Sequence, residues 1–416
     1  MNLLPEIESL LRDPDLGVRT EAIYFLYLKA GDRGLPFLKE LLNHVDPYIQ
    51  TAAVACMAEH ELPEARELLD EDRLETFLVR TDSDAESGRI EVARLLGILP
   101  GEHYRVFLAQ LMADQSPAVV RAAIASCGRR RDLDFVEPIF ERLINYRYRS
   151  YAKDALGNYG KSILPLLVQR LHDPAASAAL RRHLPGIMWR IRDTESVKAL
   201  LASVSKAAPA MRFFVVKALN KLHRAVPAMS IDKRRVSELI LSECSDFEIT
   251  RQLLDELPAN STDPAIRLLV RALRERCALS VELVFRLLGL IAPTADIHGA
   301  YTGITSSKAP LQAGAAEFLD NSLQGELRRR ILILSEQWIE LARASQTSVK
   351  PAAQLPTIES TLSRILERND PWLQTLALAA YPSDKPEARN RHASKFASDP
   401  DPLLRETAQG FLKARS

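Results

Sequence analysis

Arginine side chains are the groups in this chain whose type and spacing suit binding chemistry. Residues 101–240 contain 24 Lys and Arg against 12 Asp and Glu, whereas residues 1–100 contain 10 against 20. Guanidinium groups attract phosphates and carboxylates, so this stretch predicts a basic stripe that binds an anionic partner. Arginines near helix C-termini also complement the helix dipole without any ligand, and this alternative stays open. The residues of the predicted stripe are Arg129, Arg130, Arg131, Arg147, Arg149, Arg181, Arg182, His183, Arg190 and Arg192.

Residues that would indicate catalysis or metal binding are scattered. Among the eight histidines, only His60 is followed directly by a glutamate, Glu61. The sequence has no G-x-S-x-G, no phosphate-binding loop and no G-x-G-x-x-G. Glu317 and Asp320 fall on one predicted helix face and resemble a carboxylate pair, but the arginine run at 328–330 favours salt bridges instead. We therefore predict a protein that is not an enzyme and needs no cofactor or metal ion.

The scaffold that must position the arginines is predicted to be all-α. The chain has 416 residues, of which 47% are hydrophobic, 6% are aromatic and only 16 are Gly. Leu, Ala, Arg and Glu dominate, and these residues lose little rotamer freedom on a helix. No uncharged apolar run reaches the roughly 18 residues of a membrane span, and the first residues do not resemble a secretory signal. The cysteines lie in apolar helical patterns, so we expect buried, reduced thiols and a cytoplasmic protein.

An internal repeat indicates how the helices are arranged. Residues 46–53 read DPYIQTAA, and residues 370–377 read DPWLQTLA. The step from Val18 to Ile49 is 31 residues, and so is the step from Leu373 to Leu404. Further copies lie between these positions, one of them around Arg89. A period near 31 residues with helical apolar spacing is typical of a solenoid.

The chemistry of the repeated phrase explains its recurrence. Its Asp can cap a helix by accepting backbone N–H groups that have no partner inside the helix, and Pro suits the first helical turn. Small residues such as Ala52, Ala53 and Ala377 let this helix approach its neighbours closely. An amphipathic helix precedes each corner. One helix pair cannot bury its own apolar stripe, whereas stacked pairs bury a continuous core.

The unit resembles a HEAT repeat, most closely in DPDLGVRTEA and DPDPLLRETA. The resemblance implies a HEAT-like α-solenoid, a right-handed superhelix of antiparallel helix pairs. It also implies that the Asp and the following Arg or Gln bond between neighbouring units. The residues of this structural ladder would be Asp15, Arg19, Asp46, Gln50, Asp370, Gln374, Asp401 and Arg405.

The regularity of the period divides the chain into four predicted parts. HEAT-like repeats occupy residues 1–224 and 357–416, an irregular helical segment occupies 225–343, and a linker or loop occupies 344–356. Within the irregular segment, Ser230 or Asp232 opens one long helix. Asp263 and Pro264 open another that runs to about Leu290. We therefore predict a long helical hairpin in the middle of the chain.

Three stretches carry a narrower resemblance: ALRRHLPGIMWRI, VELVFRLLGLIAPTADIHGAYTGI and AGAAEFLDNSLQGELRRRIL. They are similar to the HEAT region of a bacterial membrane-protein family, in which a major-facilitator module akin to nucleotide (ATP/ADP) translocases is fused to HEAT repeats. A cyclic-nucleotide-binding domain is often present as well. This sequence contains neither the transmembrane helices nor the Gly-rich β-roll, so transport and cyclic-nucleotide binding are not expected of these residues. The resemblance implies a regulatory or assembly role beside such modules.

The sequence thus predicts a non-catalytic scaffold or regulatory protein-binding module that acts with a nucleotide-transporter-like membrane protein, in the cytoplasm or at the cytoplasmic face of the membrane. The alternative is a free-standing soluble adaptor that binds an acidic protein or nucleic acid through the basic middle. A third interpretation is a HEAT-like alkylpurine glycosylase, indicated only by Trp189 beside Arg190. Trp189 is expected in the core instead. Steeply salt-dependent DNA binding would identify a nucleic-acid partner. No small-molecule substrate is inferred.

Overall fold

The structure, a computed structural model, describes residues 4–60, 85–99, 101–258, 261–292, 296–344, 357–382 and 385–413. Every regular element in these ranges is a helix, as the composition predicts. None of the helices described is long and apolar enough to cross a membrane. The chain divides into two compact units, Met1–Ile163 and Leu164–Ser416.

The first unit contains a row of helices in which each helix packs against the next. The row consists of α2, α4, α5, α7 and α9, while α3, α6 and α8 pack along it. Gly128 of α7 lies so close to α9 that a Cβ there would meet the backbone of Ala155 at 2.5 Å. The helices of this unit are α1 (Leu4–Ser9), α2 (Leu16–Ala30), α3 (Gly34–Leu42), α4 (Pro47–Glu59), α5 (Ala85–Leu96), α6 (Arg105–Met112), α7 (Pro117–Arg130), α8 (Val136–Arg142) and α9 (Arg149–Asn158).

Three helices of this row begin with the predicted capping chemistry, whereas α9 begins after Tyr148 without a side-chain cap. The side chains of Asp15, Asp46 and Ser116 accept backbone N–H groups at the starts of α2, α4 and α7. In α4 and α7 a Pro follows the cap directly. Because these N–H groups have no partner inside the helix, the caps fix where each helix begins. The small residues Ala52 and Ala53 are fully buried, as expected for closely packed helices.

In several helices a second recurrent bond ties the start of the helix to the end of the helix before it. In these helices the fourth residue after the N-cap position is Arg or Gln, and its side chain donates to a backbone carbonyl there. Carbonyls at a helix end lack intrahelical donors, so this bond satisfies them. The bonds, in chain order, run from Arg19 to Asp13, Gln50 to Leu42, Arg212 to Ala207, Gln374 to Leu366 and Arg405 to Asp399.

The structure thus places the eight residues of the expected ladder largely within their own helix pairs. Asp370 and Asp401 cap their own helices, as Asp15 and Asp46 do. Two of the eight also reach a more distant helix. Arg19 pairs with Glu91 of α5, and Asp370 pairs with Arg276 at 2.7 Å.

The second unit contains a comparable row, α12, α14, α16, α21 and α23, in which each helix packs on the next. Its helices are α10 (Leu164–His172), α11 (Ala178–Arg181), α12 (Leu184–Ile191), α13 (Thr194–Lys206), α14 (Pro209–Ala225), α15 (Lys233–Asp255), α16 (Pro264–Ile291), α17 (Ile297–Ile304), α18 (Ala309–Ser322), α19 (Gly325–Ala344), α20 (Ile358–Leu366), α21 (Pro371–Ala379), α22 (Pro386–Phe396) and α23 (Pro402–Lys413).

The predicted long hairpin is present as α15 and α16. Asp232 caps α15 and Asp263 caps α16, and the two helices pack along each other. The next helix of the row is α21, so the segment between α16 and α21 lies beside the row. In that segment α17, α18 and α19 pack on one another, and α17 and α19 contact the hairpin. The predicted linker, 344–356, lies outside the described residues except for Ala344.

Candidate functional site

Two arginines of the predicted stripe in the first unit bind backbone carbonyls. Arg130 donates to three carbonyl oxygens in the turn after α5. Arg149 donates to the carbonyls of Leu143, at 3.0 Å, and Ile144, at 2.8 Å, just after α8. Carbonyls in these positions have no helical N–H partner. Both guanidinium groups are therefore engaged by the fold.

The other three stripe residues of this unit are exposed. Arg131 ends α7 in the left-handed conformation, with φ at 57°. Arg147 lies over the ring of Tyr146, 5.9 Å from its centroid, and its Nε donates to the Tyr146 hydroxyl. Arg129 makes no hydrogen bond or ion pair with the residues that the structure describes. Of the three, Arg129 borders a groove.

The stripe residues of the second unit lie in and around α11 and α12. Arg181 is half-buried, Arg182 and Arg192 are exposed, and His183 is buried. Arg190 donates to the Gly186 carbonyl at 2.6 Å.

Trp189 differs from the expectation that it belongs to the core. It is half-buried, and two cations lie over its ring. Arg190 is 4.9 Å and Lys221 is 5.4 Å from its centroid. The apolar sequence around it predicted burial, but the indole is on the side of α12 that faces these charged side chains.

The groove beside Arg129 has a volume of about 620 Å³ and is formed by the row of the first unit. One wall is a face of α7 with small residues, Ala118, Ala122 and Ala125. The opposite wall contains Ile90, Arg94 and Ile98, which follow one another at every fourth position. Residues four apart lie on one face of a helix, so Ala118 and Ala122 share a face of α7, and Ile90 and Arg94 share a face of α5, while Ile98 belongs to the turn after α5. The start of α2 and Tyr151 of α9 complete the lining.

Three arginines line this groove: Arg94, Arg121 and Arg129. We call it the arginine groove. Arg121 lies over the ring of Tyr151, 5.5 Å from its centroid, and its Nε donates to a carbonyl of its own helix at 3.1 Å. Asp15 and Glu59 also border the groove, but the Asp15 carboxylate accepts two N–H groups of α2. The lining therefore carries more positive than negative charge.

Buried charges below the groove hold Arg94 in place. Arg94 donates to Glu91 at 2.5 Å and to the Pro14 carbonyl at 2.9 Å. Glu91 is fully buried and also pairs with the fully buried Arg19. Burial raises the pKa of Glu91, and the two arginines oppose that rise. Because two guanidinium groups share one carboxylate, this cluster adds positive charge to the groove.

Arg94 and Arg121 do not belong to the predicted stripe. Both are isolated in sequence, whereas the prediction rested on runs of adjacent arginines. The signal that could have found them was the spacing of four between Arg121, Ala125 and Arg129, which places two cations on one helix face around a small residue. Adjacent arginines point to different sides of a helix, so the runs divided between structural and exposed roles.

Of the two carboxylates that resembled a catalytic pair, Asp320 forms a salt bridge of the kind that the sequence suggested. Arg328 bonds Asp320 at 2.7 Å, and this bond lowers the pKa of Asp320. His60 stacks on Tyr24 with centroids 3.5 Å apart, while Glu61 lies outside the described residues. No group of three or more His, Cys, Asp or Glu side chains in the described ranges is placed to hold a metal ion. All four cysteines are buried and free, as predicted.

Comparisons with known proteins identify no family. No family model matches the chain, and no curated protein matches it either. Among solved structures, a chain from a study of a phosphorylation switch that controls the interaction between cadherin and beta-catenin aligns with 99% of this chain and 94% of its own length. The sequences are 12% identical and the TM-score is 0.26. At that TM-score the alignment carries no argument about fold or function.

Proposed function

We propose that this chain is a non-catalytic helical-repeat protein of the HEAT type, which binds an acidic, extended segment of a partner protein in the arginine groove. The repeated cap and the bond from the fourth residue after it support the solenoid interpretation, because they recur at the repeat period. A solenoid uses the faces of successive helices as its binding surface. The arginine groove crosses such faces on α5 and α7.

The observation that carries the proposal is the combination of Arg94, Arg121 and Arg129 with a wall of alanines. Small residues let a peptide backbone approach the helix surface, while guanidinium groups bind carboxylates in a bidentate manner. Arg94 and Arg121 are already held by Glu91 and Tyr151, so little side-chain entropy is lost when a partner binds. The sequence predicted either an acidic protein or nucleic acid as the anionic partner. These contacts favour the acidic protein.

Nucleic acid fits this groove less well. A phosphate backbone presents negative charge continuously, and the groove also contains the carboxylates of Asp15 and Glu59. An acidic peptide can place its side chains between these groups, whereas regularly spaced phosphates cannot avoid them.

The expected role beside a transporter-like membrane protein is compatible with such a peptide and remains part of the proposal, together with a cytoplasmic location.

The test measures binding of a fluorescein-labelled poly-glutamate peptide by fluorescence anisotropy. Arg121→Glu combined with Arg129→Glu should weaken binding at least about ten-fold, since two charge-assisted contacts become repulsive. Arg234→Glu is the matched control, because Arg234 belongs to the second unit and its side chain is 91% exposed. It should change the affinity little.

Two results would contradict the proposal. One is equal binding of the peptide to the wild type and to the double variant. The other is tighter binding of labelled single-stranded DNA than of poly-glutamate, with affinity falling steeply as salt rises, which would favour the nucleic-acid alternative. Fractionation of source cells tests the transporter association separately, since a chain recovered only from the soluble fraction would argue against it.

A further inference from the structure

A separate cavity lies within the second unit, between α14, α16 and α17. Its volume is about 430 Å³, which is within the range of roughly 300–1,000 Å³ typical of small-molecule sites. It is independent of the arginine groove and of the function proposed for it. We call it the Gly289 cavity. The lining residues used below are Asn220, Arg224, Glu282, Phe285, Arg286, Gly289 and Tyr301.

Gly289 keeps this cavity open. It lies inside the 28-residue helix α16, where glycine is less favourable than alanine because it costs more backbone entropy. Apart from the adjacent backbone of α16 itself, no atom lies within 4 Å of the position that a Cβ would occupy. Packing against the rest of the protein therefore gives no reason for a glycine here. What the missing side chain leaves is room beside the aromatic wall.

The apolar wall consists of two aromatic rings. Phe285 is buried, and the ring of Tyr301 is tilted at 57° to it with centroids 5.6 Å apart. Tilted pairs of this kind are a favourable aromatic arrangement. Burial raises the pKa of Tyr301, and Glu282 adds to the rise, so its hydroxyl keeps its proton at neutral pH. This hydroxyl makes no hydrogen bond with the described residues and is free to bond a ligand.

The polar groups of the cavity are fixed and carry net positive charge. Arg286 donates to Glu282 Oε1 through Nε at 2.8 Å and Nη2 at 2.6 Å. Asn220 Nδ2 donates to the carbonyls of Val216 and Arg286, each at 3.0 Å. Arg224 is exposed at the rim. Two guanidinium groups against one carboxylate favour an anion over a cation.

We propose that the Gly289 cavity binds a small aromatic anion. Its ring lies over Gly289 against Phe285 and Tyr301, and its negative group pairs with Arg224 at the rim. The cavity size, the aromatic wall and the excess of arginine each select for one part of such a ligand. The class includes aromatic carboxylates and sulfonates.

The test uses the full chain and two fluorescent probes, 8-anilinonaphthalene-1-sulfonate and the uncharged N-phenyl-1-naphthylamine. They share the aromatic part and differ in the sulfonate. Gly289→Leu should raise the dissociation constant of both probes at least about ten-fold, because the new side chain fills the cavity. Gly314→Leu is the matched control, since Gly314 is an exposed helical glycine of α18 with nothing within 4 Å of its Cβ position. It should leave both constants unchanged.

Arg224→Gln tests the charge separately and does not disturb the core, because Arg224 is exposed. It should weaken the sulfonate probe about ten-fold, the value of one charge-assisted bond, and leave the uncharged probe unchanged. Three results would overturn the proposal: no sulfonate binding by the wild type, equal binding by Gly289→Leu, or equal loss of both probes in Arg224→Gln. Circular dichroism of each variant verifies that the helices are intact.

Discussion

At the scale of single residues, the ion pair of Arg19 and Glu91 is a contact on which the stability of the first unit depends. Both side chains are fully buried, and a buried charge that loses its partner is strongly destabilising. Arg19→Met should lower the free energy of unfolding by about 3 kcal/mol. The double variant Arg19→Met with Glu91→Leu should recover much of this loss, because the one charge left without a carboxylate, Arg94, is one-third exposed and still donates to the Pro14 carbonyl. Urea unfolding followed by circular dichroism gives both values. A double variant no more stable than Arg19→Met would contradict the argument.

His172 in the second unit gives a pH dependence with a defined sign. Burial lowers its pKa, and Lys206 adds to the effect, while Nε2 lies 3.1 Å from Ser203 Oγ. The folded state therefore takes up a proton less readily than the unfolded state, whose histidine pKa is about 6.5. The neutral ring contributes stability above that pH, and the contribution is lost as pH falls through the lower pKa of the folded state.

His172→Gln should remove this dependence. The stability of the wild type relative to the variant should decline as pH falls from about 7.5 towards 5, since only the wild type gains the proton on unfolding. Urea unfolding at several pH values, followed by tryptophan fluorescence, measures the difference. The pKa of His392 is also lowered, but it is present in both proteins and cancels. A difference that stays constant or grows as pH falls would contradict the assignment.

At the scale of helices, the caps were predictable because they are local. Asp46, Asp263 and Asp370 each cap the helix that the sequence assigns to them. The register inside the helices was less certain. When Val120 is aligned with Val18 on the repeat, Arg121 takes the place of Arg19, but α7 is capped by Ser116, so the fourth residue after the cap is the buried Val120. Arg121 is thus one residue further from its cap than Arg19 is, and this difference directs its side chain into the arginine groove. The sequence alone does not show where the cap lies.

Asp370 and Asp401 provide a matched test of what a cap contributes. Both accept N–H groups at the start of a helix, but Asp370 also pairs with Arg276, and both of those side chains are largely buried. Asp401→Ala should cost about 1 kcal/mol, the usual value of a cap. Asp370→Ala should cost roughly 3–5 kcal/mol, because it leaves a buried arginine unpaired. Equal losses in urea unfolding would show that the ion pair contributes nothing beyond the cap.

At the scale of the whole molecule, the sequence did not predict which helices pack together when they are far apart in the chain. The hairpin helix α16 packs directly on α21, and Glu256, at the end of α15, bonds Thr361 and Arg364 of α20. These partners are separated by about a hundred residues, including α17, α18 and α19. Periodicity identified the break in the repeat, but it does not state which helices meet across it. The packing of α16 on α21 in the three-dimensional structure shows that the row continues.

The two compact units predict independent unfolding, and the positions of the tryptophans make this measurable. All three, Trp189, Trp338 and Trp372, belong to the second unit, so tryptophan fluorescence follows that unit while circular dichroism follows every helix. In chains whose helices contact only near neighbours, cooperativity is limited in range. The urea transitions seen by the two methods should therefore not coincide.

The single-residue variants assign the transitions. Arg19→Met should shift only the part of the circular dichroism transition that has no fluorescence counterpart, because it weakens the first unit. Asp370→Ala should shift the fluorescence midpoint to lower urea. Were Arg19→Met to move the fluorescence midpoint as far as the circular dichroism midpoint, the units would be unfolding as one body. Buried side chains of each unit would then stabilise both, and the division at Ile163 would describe packing without describing cooperativity.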